Sequence, residues 1–290
     1  MEKYWRVHVF TLSLVLLFLF PVIHGWGYDG HYTVCRIAQA RLSKAAADAV
    51  AKLLSETTES ELGSLCIWAD RVRFRYQWSA PLHYADTPES LCTYQYERDC
   101  KDENGMKGRC VAGAIQNYTT QLLTYKNNSP HQSQYNLTEA LLFLSHFMGD
   151  VHQPLHVGFT SDKGGNMINV HWYTRKQNLH HVWDDSIIET AEDKFYHSNV
   201  DELIKAIQQN ITVEWADRVK GWETCSLNKI TCPDIYASEG IKAACDSAYR
   251  GASEGSVLKD DYFLTRLPIV NTRLAQGGVR LAAALNRIFG

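Results

Sequence analysis

Residues 136–156 read NLTEALLFLSHFMGDVHQPLH. Leu137, Ala140, Leu141, Leu144, Phe147, Met148 and Val151 recur at three- and four-residue steps, which predicts a helix from Asn136 to Val151 with one buried side. Asn136, three residues before Glu139, is its expected cap. His146 and Asp150 are four apart, so they project from one face, one turn above the other. Pro154 ends or kinks the helix, which lets His156 swing back from the loop that follows. His180 and Asp184 repeat the four-residue spacing further on. Upstream, Trp26, His31, Asp70 and His83 are further candidates for the same chemistry.

A lone histidine near an apolar helix face is more often a packed, hydrogen-bonded side chain than a ligand. This conjunction is different. Phe143, Leu144, Phe147, Met148, Val151 and Val182 crowd the polar groups with apolar surface. Burying several His and Asp side chains without partners costs roughly several kcal/mol each. A metal cluster satisfies that mixture. Imidazole nitrogen with carboxylate oxygen suits zinc, and two His–Asp pairs with more His and Asp upstream imply more than one ion.

Most of the remaining chain also reads helical. Thr33 to Leu54, Asp185 to Glu192, Asp201 to Asn210, Glu214 to Thr224, Ala237 to Tyr249 and Asp260 to Phe289 carry helical apolar repeats or composition. Asp162-Lys163-Gly164-Gly165-Asn166 is a turn signal, and Met167 to Tyr173 alternates after it, so a small β-hairpin is expected near residues 160–173. Arg75 to Gly113 is loop-rich. With no repeat and no linker, the expectation is one mainly α domain over residues 26–290.

Residues 1–25 read as a cleaved signal peptide: Lys3 and Arg6, an apolar run from Val9 to Phe20, Pro21, then Gly25 before Trp26. The run is short for a retained membrane span, which needs about 20 apolar residues. The expected setting is the secretory pathway, with an extracellular, apoplastic or vacuolar end point. All eight cysteines follow Trp26, and behind a leader they imply disulfides. Cys100 with Cys110 and Cys225 with Cys232 are candidate local loops; spacing leaves the other pairings open. Sequons occur at Asn117, Asn127, Asn136 and Asn210, with the second weakened by Pro130. Twenty-nine basic residues face 32 acidic ones without a basic run, which argues against duplex binding by a broad cationic face. Divalent ions would attract a phosphate locally instead.

Trp26 with His31, Trp68-Ala69-Asp70, Pro81-Leu82-His83-Tyr84, the His146–His156 run, and Asn178 through Asp184 together carry a family resemblance. The chain resembles the zinc-dependent, single-strand-preferring nucleases of fungi and plants over essentially its whole mature length. The plant bifunctional (nuclease I) branch is especially similar, and bacterial three-zinc phospholipase C shares the fold more distantly. The resemblance implies three zinc ions. One is held by Asp70, His83, His146 and Asp150. A second is held by the freed Trp26 amine and its carbonyl, His31 and Asp150. A third is held by His156, His180 and Asp184. It also implies the disulfides Cys35–Cys66, Cys92–Cys245, Cys100–Cys110 and Cys225–Cys232. Asp70 is the expected group to orient or deprotonate the attacking water.

The expected substrates are single-stranded DNA and RNA, cleaved to 5′-phosphate products, and 3′-nucleotides, with the processed chain a monomer off the membrane. Unpaired bases can stack on aromatic rings, and Tyr28, Tyr76, Tyr84, Tyr94, Tyr135 and Trp172 are the candidates. The resemblance favours Tyr135 and Asn117, although Asn117 is also a sequon. Arg71, Arg73 and Arg75 could contact phosphates, form a solvated face or pair with nearby carboxylates. His152, His171 and His181 are read as supporting or structural. Two alternatives stand beside this reading. A phospholipase C-like phosphodiesterase would release diacylglycerol, and a secreted zinc-binding protein would bind metal without turnover.

Overall fold

The computed structural model describes residues 25–55, 57, 59, 61–126, 134–225 and 229–290. Residues 1–24 of the expected signal peptide and the Asn127 sequon lie outside the described residues. Tyr28–Gln39 (α1) and Lys44–Leu54 (α2) precede two short helices, Leu62–Leu65 (α3) and Trp68–Val72 (α4). A 3-10 turn at Gln77–His83 and Tyr96–Asp99 (α5) lead to Val111–Leu123 (α6) and Leu137–Asp150 (α7). Leu179–His181 (α8), Ile187–Phe195 (α9), Val200–Thr212 (α10), Ala216–Glu223 (α11), Pro233–Ala243 (α12) and Asp260–Phe289 (α13) follow.

Helix α7 is the axis of the molecule. Every residue from Ala140 to Asp150 is buried, because the helix is apolar on nearly all sides and packs against α1, α2, α4, α6 and α13. Its cap is Asn136, whose side chain accepts the Glu139 amide at 3.1 Å. Helix α1 lies tightly on α13. A Cβ at Gly278 would sit 2.5 Å from Ile37 Cβ and 2.9 Å from the Val34 carbonyl oxygen, so only glycine permits that approach. Four disulfides brace the loops: Cys35–Cys66, Cys92–Cys245, Cys100–Cys110 and Cys225–Cys232. No helix among the described residues is long and apolar enough to cross a membrane.

Several sequence expectations shift. The apolar stretch Thr33–Leu54 is two helices, because the Ser43 hydroxyl accepts the Ala46 amide and starts a new one. Helix α6 falls partly in the segment read as loop-rich. Its Gly113 and β-branched residues are weak helix formers, and burial against α7 overrides them. The hairpin is displaced. Asn169–Trp172 (β1) pairs antiparallel with Arg175–Asn178 (β2), turning at Tyr173-Thr174, and Val257–Leu258 (β3) adds in parallel on the other side of β1. The Asp162–Asn166 turn instead folds on itself, with Lys163, Gly164 and Gly165 at positive φ. Asp185–Glu192 enters through a π-helical turn at 182–186, and α12 starts earlier than expected, with Pro233 in its first turn.

On α9, the Glu192 side chain is buried with Oε1 lacking a hydrogen-bond partner. Burial, then Asp29, Glu189 and Asp193, push its carboxyl up to about 7. Between its ordinary 4.5 and about 7 the folded chain keeps a proton that the unfolded chain releases, so stability falls as pH rises through that window. Glu192→Gln removes the penalty. Thermal unfolding should show the variant gaining about 1–3 kcal/mol on the parent at pH 8 and almost nothing at pH 4. An equal gain at both pH values would rule out the titration.

Candidate metal centre

Separate elements deliver polar side chains to the C-terminal end of α7. That helix supplies His146 and Asp150, α1 supplies His31, α4 supplies Asp70, and the 3-10 turn after it ends in His83. Pro154 opens a second 3-10 turn carrying His156, capped by the Gln153 side chain on the Leu155 amide at 2.5 Å. Asn178 caps α8 through the His181 amide, which sets His180 and, one turn on, Asp184. Three groups result: His31, His146 and Asp150; Asp70, His83 and His146; His156, His180 and Asp184. Within each, the ligand atoms lie within 4.8 Å of one another.

Asp150 joins the first two groups. Its Oδ1 is 3.2 Å from His31 Nε2, and its Oδ2 is 3.0 Å from His83 Nδ1 and 3.2 Å from His146 Nε2. Asp70 Oδ1 lies 3.5 Å from His83 Nδ1 and 3.6 Å from His146 Nε2. His180 Nε2 is 3.4 Å from Asp184 Oδ2. The His31 and His146 rings stack with centroids 3.9 Å apart. Gly149 makes room for this, since a Cβ there would meet His31 Nδ1 at 2.5 Å.

The tautomers are set from behind. Nδ1 of His146, His156 and His180 donates to the carbonyls of Cys66, His83 and Gly164 at 2.8, 2.6 and 2.6 Å, leaving each Nε2 lone pair available as a ligand. Both nitrogens of His31, His83 Nε2, and all four oxygens of Asp70 and Asp150 are buried without a hydrogen-bond partner. Such groups are costly unless a cation satisfies them. The electrostatics agree. Burial opposes a charged His146, but Asp150 and Asp70 prevail and raise it to about 9, so the two carboxylates call for positive charge here, which a proton on Nε2 meets when no metal ion does. Burial and then His146 hold His31 down to about 4. Burial, then Asp185, push Asp184 well above the usual carboxylate range. The donor set therefore fits metal ions.

Two supports escaped the sequence reading. Gln153 Nε2 donates to Asp184 Oδ1 at 2.5 Å. Buried Arg273 of α13 donates to the carbonyls of His152 and Val151 at 3.0 and 3.3 Å, capping the end of α7 beside Asp150. Glu239 binds both Arg273 and Arg280, and Arg280 Nη1 also reaches His152 Nε2 at 2.9 Å. His152 thus belongs to the scaffold, its Nδ1 donating to the Met148 carbonyl. His181 faces outward and pairs with Asp185 at 3.0 Å, and His171 lies on β1.

A cleft of about 770 Å³ opens on Asp70, His156 and His180. Arg73, Phe74, Tyr84 and Lys163 are on its walls. Of the expected stacking residues, Tyr84 lines it. Trp172 and Tyr94 are core residues, Trp172 being held by Thr190 through its indole N–H, so neither offers a face to a base. Tyr28 is exposed at the start of α1, and Tyr76 gives its hydroxyl to Glu139. Asn117 is exposed on α6 and Tyr135 just before α7; neither lines the cleft. Tyr135 stands fifteen residues from Asp150, about 20 Å along the helix. Asn136 is exposed and Asn210 half-buried.

Trp26 is buried, and Gly25 before it is wedged into the first group. A Cβ there would overlap Asp150 Oδ1 and lie 2.6 Å from His31 Nε2. The Trp26 nitrogen, next along the backbone, is an amide in the full-length chain.

A helical scaffold that gathers imidazoles and carboxylates at the floor of a cleft walled by cations and aromatic rings defines a hydrolase of phosphate esters. Residues 26–290 match the S1/P1 Nuclease family. The chain is 65% identical over 289 residues to Endonuclease 2 of Arabidopsis thaliana, covering 100% of this chain and 99% of that one. It is 33% identical over 276 residues to Nuclease P1 of Penicillium citrinum, covering 91% and 98%, and 30% identical over 291 residues to Nuclease S1 of Aspergillus oryzae, covering 96% of each. The chain belongs to the S1/P1 nuclease family and is a phosphodiester-cleaving endonuclease acting on nucleic acid.

Proposed function

We propose that this is a secreted, three-zinc endonuclease of single-stranded DNA and RNA that leaves 5′-phosphate ends and also dephosphorylates 3′-nucleotides. Asp70, His83, His146 and Asp150 would hold one ion; the Trp26 amine and carbonyl, His31 and Asp150 a second; His156, His180 and Asp184 a third. Bound zinc supplies Lewis acidity and water with a pKa near about 7. The observation that carries the reading is the cleft opening on Asp70, His156 and His180, members of two different ligand groups.

The chain's own groups then divide the work. Asp70 faces the cleft with both oxygens lacking hydrogen-bond partners, and it orients or accepts a proton from the attacking water. Arg73 and Lys163 draw the phosphate inward from the walls. Tyr84 and Phe74 offer ring faces to a splayed base. A regular duplex would have to distort to bring a phosphate to this recessed floor, which favours unpaired strands. Residues 1–25 act as the signal peptide, Asn117, Asn136 and Asn210 as glycan acceptors, and the mature chain works as a monomer.

Protein beginning at Trp26 should digest single-stranded DNA and RNA, with labelled ends identified as 5′-phosphates and three zinc ions found per chain by elemental analysis. Chelator should abolish cleavage and zinc should restore it. Diacylglycerol release from phosphatidylcholine without DNA cleavage would replace this reading with a phospholipase. Zinc binding without turnover would replace it with a storage role.

A further inference from the structure

The cleft wall does not end at Phe74. Its segment, Arg71-Val72-Arg73-Phe74-Arg75-Tyr76-Gln77-Trp78, continues over the outer surface. Phe74 is 82% exposed and Trp78 47% exposed. Arg71 and Arg75 are also exposed, and neither makes an ion pair or hydrogen bond through its side chain with the described residues. Elsewhere in this slightly acidic chain, Arg98, Arg109, Arg273 and Arg280 are each tied to a carboxylate.

We propose that Arg71, Arg75 and Trp78 form an outer track that holds the nucleotides flanking the one in the cleft, a proposal that rests on the single-strand nuclease reading above. Trp78 is a prepared platform. Its ring leans on Tyr76 and Phe143 with centroids 5.7 and 5.6 Å apart, so it is backed by α7 while remaining half open to solvent. Tyr76 is fixed by its hydroxyl on Glu139 at 3.0 Å. Arg109 grips the Trp78 carbonyl at 2.7 Å while held by Asp102. A rigid ring flanked by free guanidinium groups matches a strand that alternates base and phosphate, because stacking is indifferent to sequence and the phosphate contacts are electrostatic. Continuity with the cleft comes through Arg73, Phe74 and Gln77, which line its wall.

The test compares two substrates on metal-loaded mature protein: a single-stranded 20-mer and a dinucleotide too short to leave the cleft. Trp78→Ala should raise KM for the 20-mer about ten-fold with kcat unchanged. Arg71→Glu with Arg75→Glu, both on the surface, should do likewise and lower the slope of log KM against log salt by about 1.4. Dinucleotide cleavage should stay within about two-fold in both variants, which also shows that they fold and keep the centre intact. An unchanged 20-mer KM, or equal losses on both substrates, would overturn the track. A patch serving contact between two copies would instead show as concentration-dependent dimers lost in the variants with 20-mer KM unchanged, and would also overturn it. If the parent cleaves neither substrate, the nuclease reading fails, not the track.

Discussion

Asp150→Asn should lower kcat/KM on single-stranded DNA by about 10³-fold or more and strip metal from the protein. One carboxylate addresses His31, His83 and His146, which come from three different elements. Both of its oxygens are buried without hydrogen-bond partners. An amide carries no charge to neutralise the ions and offers one oxygen where two are used. Breaking one partner out of a buried charged cluster costs about 3–5 kcal/mol, which corresponds to two to four decades in rate. Asp150→Glu, which keeps the charge but displaces the oxygens by a methylene, should fall between the two. Metal content by elemental analysis separates a lost centre from a lost fold, for which circular dichroism and intact disulfides are the control. Full activity in Asp150→Asn would remove the bridging role.

A chain that begins at Gly25 should be at least about 100-fold less active than one that begins at Trp26, and should bind one ion fewer. The extra residue acts twice. It converts the Trp26 amine into an amide, a poor ligand at neutral pH, and it crowds the first group, since a Cβ built on Gly25 would overlap Asp150 Oδ1 and lie 2.6 Å from His31 Nε2. Loss of an outer-sphere partner already costs about 10–100-fold in metal affinity or activity, so loss of a ligand sets a larger expectation. Both forms can be made by varying the leader junction and checked by intact mass, zinc content and turnover. Equal zinc and equal rates would exclude the amine as a ligand.

The two candidate metal-ligand pairs with helical spacing were legible because the chain states them locally. His146 with Asp150 and His180 with Asp184 are four apart, and the structure keeps each pair in contact range. His31, Asp70 and His83 carry no such local mark. Each is a single polar residue in its own segment, and only tertiary packing, or a resemblance, brings them to α7. The ends of elements were legible where a cap stands in the sequence, as at Asn136. They were missed where burial or β-branched composition decided, as at α6. The hairpin moved because the Gly-rich turn at 162–166 looked like its apex, whereas the pairing strands turn at Tyr173-Thr174. The clamp of Arg273 on His152 and Glu239 could not be read at all, since those partners are 121 and 34 residues away in sequence.

Cys66 binds two parts of the centre at once. Its sulfur is joined to Cys35, four residues beyond His31 on α1, and its carbonyl accepts the proton of His146 Nδ1. Asp70 stands four residues further along. One covalent crosslink therefore braces the carriers of three candidate ligands. A copy of this chain in reducing surroundings would lack that brace between α1 and the segment leading into α4. The disulfide thus serves the geometry of the centre as well as the stability of the fold.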